Sequence, residues 1–218
     1  MITTAIFDMD GTLFSTEPLY FQCYQAAARE MGLDFPFELF VRCVGISLEE
    51  ASKIIRNYYG KEVDVPYLYE ACGRKFEQYM DSHLIAPRAG VVEMLEALHK
   101  RGLKIGMATS NGRAWAERLL RQANLFQYFK SIVTAQDVSK PKPDPEVYLR
   151  AAAQLNSGVR ECLAFDDSVA GATAAISAGM RTVVIPDLKQ PDSFVRQHAF
   201  RIYDAMPQAY EELEELLS

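Results

Sequence analysis

Five short apolar runs divide the chain: 5–7 (Ala-Ile-Phe), 105–108 (Ile-Gly-Met-Ala), 131–134 (Ser-Ile-Val-Thr), 162–165 (Cys-Leu-Ala-Phe) and 182–185 (Thr-Val-Val-Ile). They are continuous rather than alternating. That pattern suits strands covered on both faces, as in a parallel sheet. Helix-period stretches lie between them. Val91, Met94, Leu95 and Leu98 fall at i, i+3, i+4 and i+7, and Lys100-Arg101-Gly102 follows as a basic last turn with a terminating glycine. Ala116, Leu119, Leu120 and Ala123 repeat the spacing over 113–123. Residues 145–155 and 168–178 are rich in alanine and favour helix. Strand–helix alternation of this kind predicts an α/β fold: a doubly wound, Rossmann-like parallel sheet with right-handed crossovers.

Residues 16–85 break the rhythm. Helical stretches fit about 17–31, 37–43, 47–58 and 64–82, separated by Gly32, Gly45, Gly60 and Pro66. The expected organisation is therefore an α/β core made of 1–15 and 86–218, with 16–85 inserted as a small helical cap domain. Near the end of the chain, Leu213, Leu216 and Leu217 should pack inward while Glu211, Glu212, Glu214 and Glu215 stay in water.

Composition narrows the function. Hydrophobic residues at 49 % are enough for a full core and exclude a disordered chain. The excess of 29 acidic over 23 basic residues gives a net charge of −6, which argues against nucleic acid and anionic membranes as partners. No apolar run approaches the roughly 20 residues that span a bilayer. Met1-Ile2-Thr3-Thr4 lacks the basic start of a signal peptide. Cys23, Cys43, Cys72 and Cys162 are widely spaced, which reads as reduced thiols in a cytoplasmic protein. The three histidines are not spaced as a zinc site. No seam for association is visible, so a monomer is expected.

The reactive side chains fall where strands end. Asp8 and Asp10 follow the first run, Thr109-Ser110-Asn111 the second, and Asp166-Asp167 the fourth. In an open parallel sheet those ends line one crevice. Each group alone has an ordinary reading, as a tight Asp-Gly turn or a helix cap. Together they form a cluster of carboxylates that repel one another unless a cation joins them. Oxygen ligands without His or Cys point to Mg²⁺. Thr109, Ser110 and Asn111 offer hydroxyls, an amide and backbone N–H groups to an anion. Lys140 stands in the proline-stiffened run Lys140-Pro141-Lys142-Pro143-Asp144-Pro145 and can be aimed at the site. Acids, a divalent cation, hydroxyls and a lysine around one point suit phosphoryl transfer. No GxxxxGK[ST] is present, which excludes a P-loop protein.

Asp8-Met9-Asp10-Gly11-Thr12, Thr109-Ser110-Asn111, Ser139 to Asp144 and Asp166-Asp167-Ser168-Val169-Ala170-Gly171 together resemble the motifs of the haloacid dehalogenase superfamily, in that family's order and over the whole chain. The similarity is greatest to its β-phosphoglucomutase-like branch. The resemblance implies that Asp8 forms an aspartyl phosphate and that Asp10 acts as general acid and base. It places Thr109 and Ser110 on the phosphoryl group, with Asn111 beside them, and Lys140 between Asp8 and the phosphate. It assigns Mg²⁺ to Asp8, the Asp10 carbonyl and Asp167, with Asp166 directly bound or just behind. The substrate would be a small phosphate ester, with specificity set by cap residues such as Glu17, Tyr20, Gly45-Ile46-Ser47 and Lys75. Cap aromatics such as Phe21, Phe40, Tyr58 and Tyr79 would belong to the cap core.

The departures separate subtypes. Dehalogenases and phosphonatases of the superfamily lack the second acid of the first motif, and Asp10 is present. Where the mutases of the branch carry a cap histidine and arginine, this chain has Tyr20 and Leu48. A Mg²⁺-dependent phosphatase of a sugar or polyol phosphate is expected, with a sugar phosphomutase as the alternative. A retired, non-catalytic site is disfavoured because Asp8, Asp10 and Lys140 all remain.

Overall fold

The computed structural model describes residues 1–46 and 48–218; Ser47, named above for the cap, lies outside the described residues. The sheet is built from β1 (Thr4–Phe7), β2 (Lys104–Ala108), β3 (Ser131–Val133), β4 (Cys162–Asp166), β5 (Arg181–Val184) and β6 (Arg201–Ile202). All neighbours are parallel, in the order β3-β2-β1-β4-β5-β6. The chain therefore winds outward from β1 in both directions, and the order reverses between β1 and β4. In sheets of this kind ligands bind outside the carboxyl ends at that reversal. Asp8 follows β1 and Asp166 ends β4, so the two acids meet there.

β1, β3 and β4 are buried along their whole length, as their continuous apolar runs require. Successive side chains alternate between the two faces. Ile6, Ala108, Val133 and Ala164 meet Val147, Tyr148, Ala151 and Ala152 of α7 (Glu146–Gln154) and Ala174, Ala175 and Ala178 in and just after α8 (Val169–Ser177). Phe7 and Phe165 are paired in register on β1 and β4 and stack with ring centroids 4.5 Å apart. Burying each ring contributes roughly 1.5–3 kcal/mol. The core is completed by α5 (Val91–Lys100), α6 (Arg113–Gln122), α9 (Ser193–His198), α10 (Met206–Glu211) and α11 (Leu213–Leu217). Leu213 and Leu216 are buried there, as expected, while Leu217 is half-buried.

Residue contacts divide the chain into two compact units, Met1–Ser15 with Ile85–Ser218, and Thr16–Leu84. Within the first, the strands of chain leaving for and returning from the second run side by side. Phe14 bridges Pro87, and the Arg88 N–H donates to the Leu13 carbonyl at 2.8 Å. An insertion is tolerated where its two ends are neighbours.

The second unit holds α1 (Glu17–Glu30), α2 (Phe37–Cys43), α3 (Leu48–Tyr59) and α4 (Val65–Ser82), with no strand among the described residues. Phe35, Leu39, Phe40, Ile55, Leu68, Phe76 and Met80 are its buried core. Tyr20 stacks on Phe76 at 4.2 Å, and Asp64 caps α4 by accepting the Tyr67 N–H at 3.0 Å. Phe40 is buried, whereas Tyr58, expected in the core, is 53 % exposed.

Candidate active site

β1 delivers Asp8. Its N–H continues the ladder to the Phe165 carbonyl of β4 at 2.8 Å, and its side chain is nearly buried. The chain then folds back sharply: the Leu13 and Phe14 N–H groups both donate to the Met9 carbonyl, at 2.9 and 3.1 Å. Gly11 is needed in this loop for two reasons. Its φ is +77°, and a Cβ there would lie 2.2 Å from Asp167 Oδ2. The Asp167 carboxylate thus rests against the Gly11 backbone, and the Thr12 hydroxyl donates to its Oδ1 at 3.3 Å.

β4 delivers Asp166, which is fully buried. Its Oδ1 accepts from the Ser168 N–H at 2.9 Å and the Ser168 hydroxyl at 2.8 Å. Its Oδ2 accepts from the Tyr148 hydroxyl at 2.6 Å and the Lys142 ammonium at 2.9 Å. A carboxylate offers about four lone-pair sites, and four donors occupy them here. Gly171 makes room for this carboxylate at the start of α8, where a Cβ would meet Oδ2 at 2.0 Å.

Lys142 Nζ also donates to Asp8 Oδ1 at 2.7 Å, so one buried cation spans both strand-end acids. Burial pushes the Asp8 carboxyl up to about 8; Lys142 opposes the rise, and the nearby Asp166 and Asp10 add to it. Burial works against the Lys142 charge too, but Asp166 and Asp8 outweigh it and raise its pKa above the ordinary lysine value.

The lysine is not the one expected. Lys140 is 73 % exposed at its side chain and lies 3.7 Å from Asp144 Oδ2. Its N–H and that of Ser139 both donate to Glu146 Oε2 at 3.0 Å, which ties this part of the loop to α7. The chain then turns, with the Asp144 N–H on the Pro141 carbonyl at 3.0 Å, and the turn aims Lys142 inward. The two lysines stand two residues apart. The sign that separates them is Asp144, four residues after Lys140 and ready to pair with it locally. Tyr148 was also missed, although a tyrosine on the alanine-rich buried face of α7 needs a partner for its hydroxyl.

β2 delivers Thr109, whose N–H continues the ladder to Val133 at 3.0 Å. No helix begins there; α6 starts at Arg113 after Gly112. Instead Thr109 Oγ1 accepts the Asn111 N–H at 3.1 Å. Thr109, Ser110 and Lys142 line a cavity of about 200 Å³, with Ala135, Val138, Ser139, Pro141 and Val147 forming the rest of its wall. Asn111 does not line it. Its side-chain amide donates to Asp10 Oδ2 at 2.5 Å.

The match to the haloacid dehalogenase-like hydrolase family runs from residue 5 to residue 185. The chain belongs to that family. A phosphatase of phosphorylated carbohydrates from Thermotoga maritima is 33 % identical over 82 % of each chain. The β-phosphoglucomutase of Bacillus subtilis is 32 % identical over 82 % of this chain and 80 % of its own length. The crystal structure of CbbY from Rhodobacter sphaeroides in complex with phosphate superposes with a TM-score of 0.84, at 25 % identity and 96 % coverage of both chains. The doubly wound sheet with a helical insert is thus that of a HAD-like hydrolase, close to its β-phosphoglucomutase and CbbY-like branch.

In this HAD-like hydrolase the donor set fits a small, hard cation. Asp8, Asp10 and Asp167 offer oxygen alone, and burial holds the Asp8 carboxyl above its ordinary pKa, which added positive charge would oppose. Among the described residues no three acidic, His or Cys side chains gather as a self-sufficient metal cage. Mg²⁺ does not require one, because it keeps several waters and takes one or two carboxylates.

In the helical unit, Glu17, Tyr20, Tyr24, Phe40, Gly45 and Ile46 are among the residues lining a second cavity, of about 140 Å³. Lys75 does not line it; its ammonium pairs with Glu30 Oε1 at 2.6 Å. No helix among the described residues is long and apolar enough to cross a membrane.

Proposed function

We propose that the chain is a Mg²⁺-dependent phosphatase that hydrolyses a small phosphate monoester, a sugar or polyol phosphate, through an aspartyl phosphate on Asp8. The observation that carries this reading is Lys142, buried between Asp8 and Asp166 and lining the same cavity as Thr109 and Ser110. The relative named for phosphorylated carbohydrates supports the substrate class.

Asp8 attacks the phosphorus in line; the Asp8–phosphorus bond forms as the ester oxygen departs. Asp10 gives its proton to that oxygen, which leaves as an alcohol. Asp10 then takes a proton from a water whose oxygen attacks the same phosphorus. The aspartyl bond breaks, phosphate leaves, and Asp10 is protonated again. Thr109 and the Ser110 N–H hold the phosphoryl oxygens, and Lys142 offsets charge between them and Asp8. Asp8, the Asp10 carbonyl and Asp167 would hold Mg²⁺, which when bound would add to the neutralisation of the phosphoryl charge. Asp166 serves as the anchor of Lys142, because its oxygens are already filled by donors.

A mutase needs to hold a bisphosphate. Among the described residues the cap cavity is lined by no Lys, Arg or His, and Lys75 is engaged by Glu30. A phosphate-release screen over sugar, polyol, nucleotide and acid phosphates tests the proposal. The expected result is Mg²⁺-dependent release that EDTA stops. Turnover that requires a sugar bisphosphate and leaves phosphate on the product would show a mutase instead.

A further inference from the structure

Asn111 stands at the carboxyl end of β2, and its side chain reaches the first motif loop. Nδ2 donates to Asp10 Oδ2 at 2.5 Å, across 101 residues of sequence. Three further bonds brace the asparagine and the threonine beside it. Its N–H is on Thr109 Oγ1 at 3.1 Å, its carbonyl accepts the Ala135 N–H at 3.1 Å, and Thr109 is fixed to Val133. The donor is therefore presented from a braced backbone. Asp10 sits on the tight loop beyond β1 and is half-buried.

We infer that Asn111 is a positioning residue for the proton transfers of Asp10. An amide N–H can only donate, so Oδ2 must act as an acceptor whether Asp10 is ionised or neutral. The transferable proton is thereby confined to Oδ1. The carboxyl plane is fixed as well, and a proton donor held in the reactive orientation avoids an ordering cost in the transition state. Asn111 is kept off the phosphoryl cavity by the same bond, so its contribution should appear in proton transfer rather than in phosphate binding.

This inference rests on Asp10 being the general acid, and the test separates the two. The measured quantity is kcat/KM, which covers steps only up to departure of the leaving group. It is compared for p-nitrophenyl phosphate, whose leaving group needs no protonation, and for the alkyl monophosphate that the wild type turns over fastest. Asn111→Ala should lose about 10- to 100-fold on the alkyl ester and less than about 3-fold on the aryl ester. The inhibition constant of inorganic phosphate should stay within about 2-fold of wild type. Asn111→Leu, which keeps the side-chain volume, should behave alike and serves if the alanine variant fails to fold. Equal losses on both esters, or a weakened phosphate inhibition constant, would overturn the inference and make Asn111 a structural or phosphate-binding residue. Asp10→Asn is the control. A larger loss selective for the alkyl ester supports its acid role, and a loss equal on both esters removes that role and the inference with it.

Discussion

Lys142 and Asp166 form an ion pair at the heart of the site, 2.9 Å apart, and the same ammonium reaches Asp8 at 2.7 Å. Both lysine and Asp166 are removed from water, so neither charge is tolerable without the other. The pair makes Asp166 the anchor of a cation that faces the proposed nucleophile.

Lys142→Ala should therefore cost about 3–5 kcal/mol of stability, because it leaves Asp166 buried without its counter-charge. Phosphate release should fall by about 10²-fold or more. Lys140→Ala should match wild type in both, since Lys140 is exposed and its pair with Asp144 is a surface one. Chemical denaturation and steady-state rates of the two variants decide it. An inactive Lys140 variant beside an active Lys142 variant would reverse the assignment.

The raised Asp8 carboxyl makes stability depend on pH in the metal-free protein. The folded state holds a proton up to about pH 8 that the unfolded chain releases near 3.8. Raising the pH through that window thus favours unfolding, and this contribution to stability is complete only below it. In EDTA, the melting temperature of wild type should fall between pH 5 and 8 relative to Asp8→Asn, which carries no such proton. Added Mg²⁺ should remove most of the difference. Parallel pH profiles for the two proteins would contradict the electrostatic account.

Much of this was legible in the sequence, and the reasons are physical. The strands of the core are covered on both faces, so their runs are unbroken and end abruptly at polar residues. Asp8, Thr109 and Asp166 could be placed because each follows such a run. β6 was not legible: Arg201 and Ile202 are both exposed, and two residues carry no periodicity. Neither was α9, six residues long and started by an Asp192 cap. Lys140 and Lys142 both border Pro141, and apart from the local partner that Asp144 offers Lys140 it is the turn that decides which one points inward. The role of Asn111 depends on a bond to a loop far away in sequence, which no local pattern encodes.

Gly171→Ala should destabilise the protein although alanine ordinarily favours a helix by about 1 kcal/mol. The added Cβ meets an Asp166 carboxylate that four donors hold in place, so the carboxylate cannot simply move aside. A net loss of about 1–3 kcal/mol is expected, together with reduced turnover. A stability gain in thermal melting would show that the anchor yields easily.

Tyr148→Phe removes one donor from Asp166 Oδ2 and keeps the ring beside Lys142. The lost bond to a charged group should cost about 1.5–3 kcal/mol. Turnover should drop with little change in KM, because Tyr148 acts through Asp166 and Lys142 and does not line the cavity of Thr109 and Ser110. A changed KM at unchanged kcat would place the tyrosine in substrate binding instead.

The most direct measurement is phosphate release by Asp8→Ala with Mg²⁺, on the substrate that wild type turns over fastest, after melting has shown that the variant is folded. The account predicts that nearly all activity is lost, because Asp8 is the proposed nucleophile that the Lys142 ammonium faces. Turnover near the wild-type rate would contradict it.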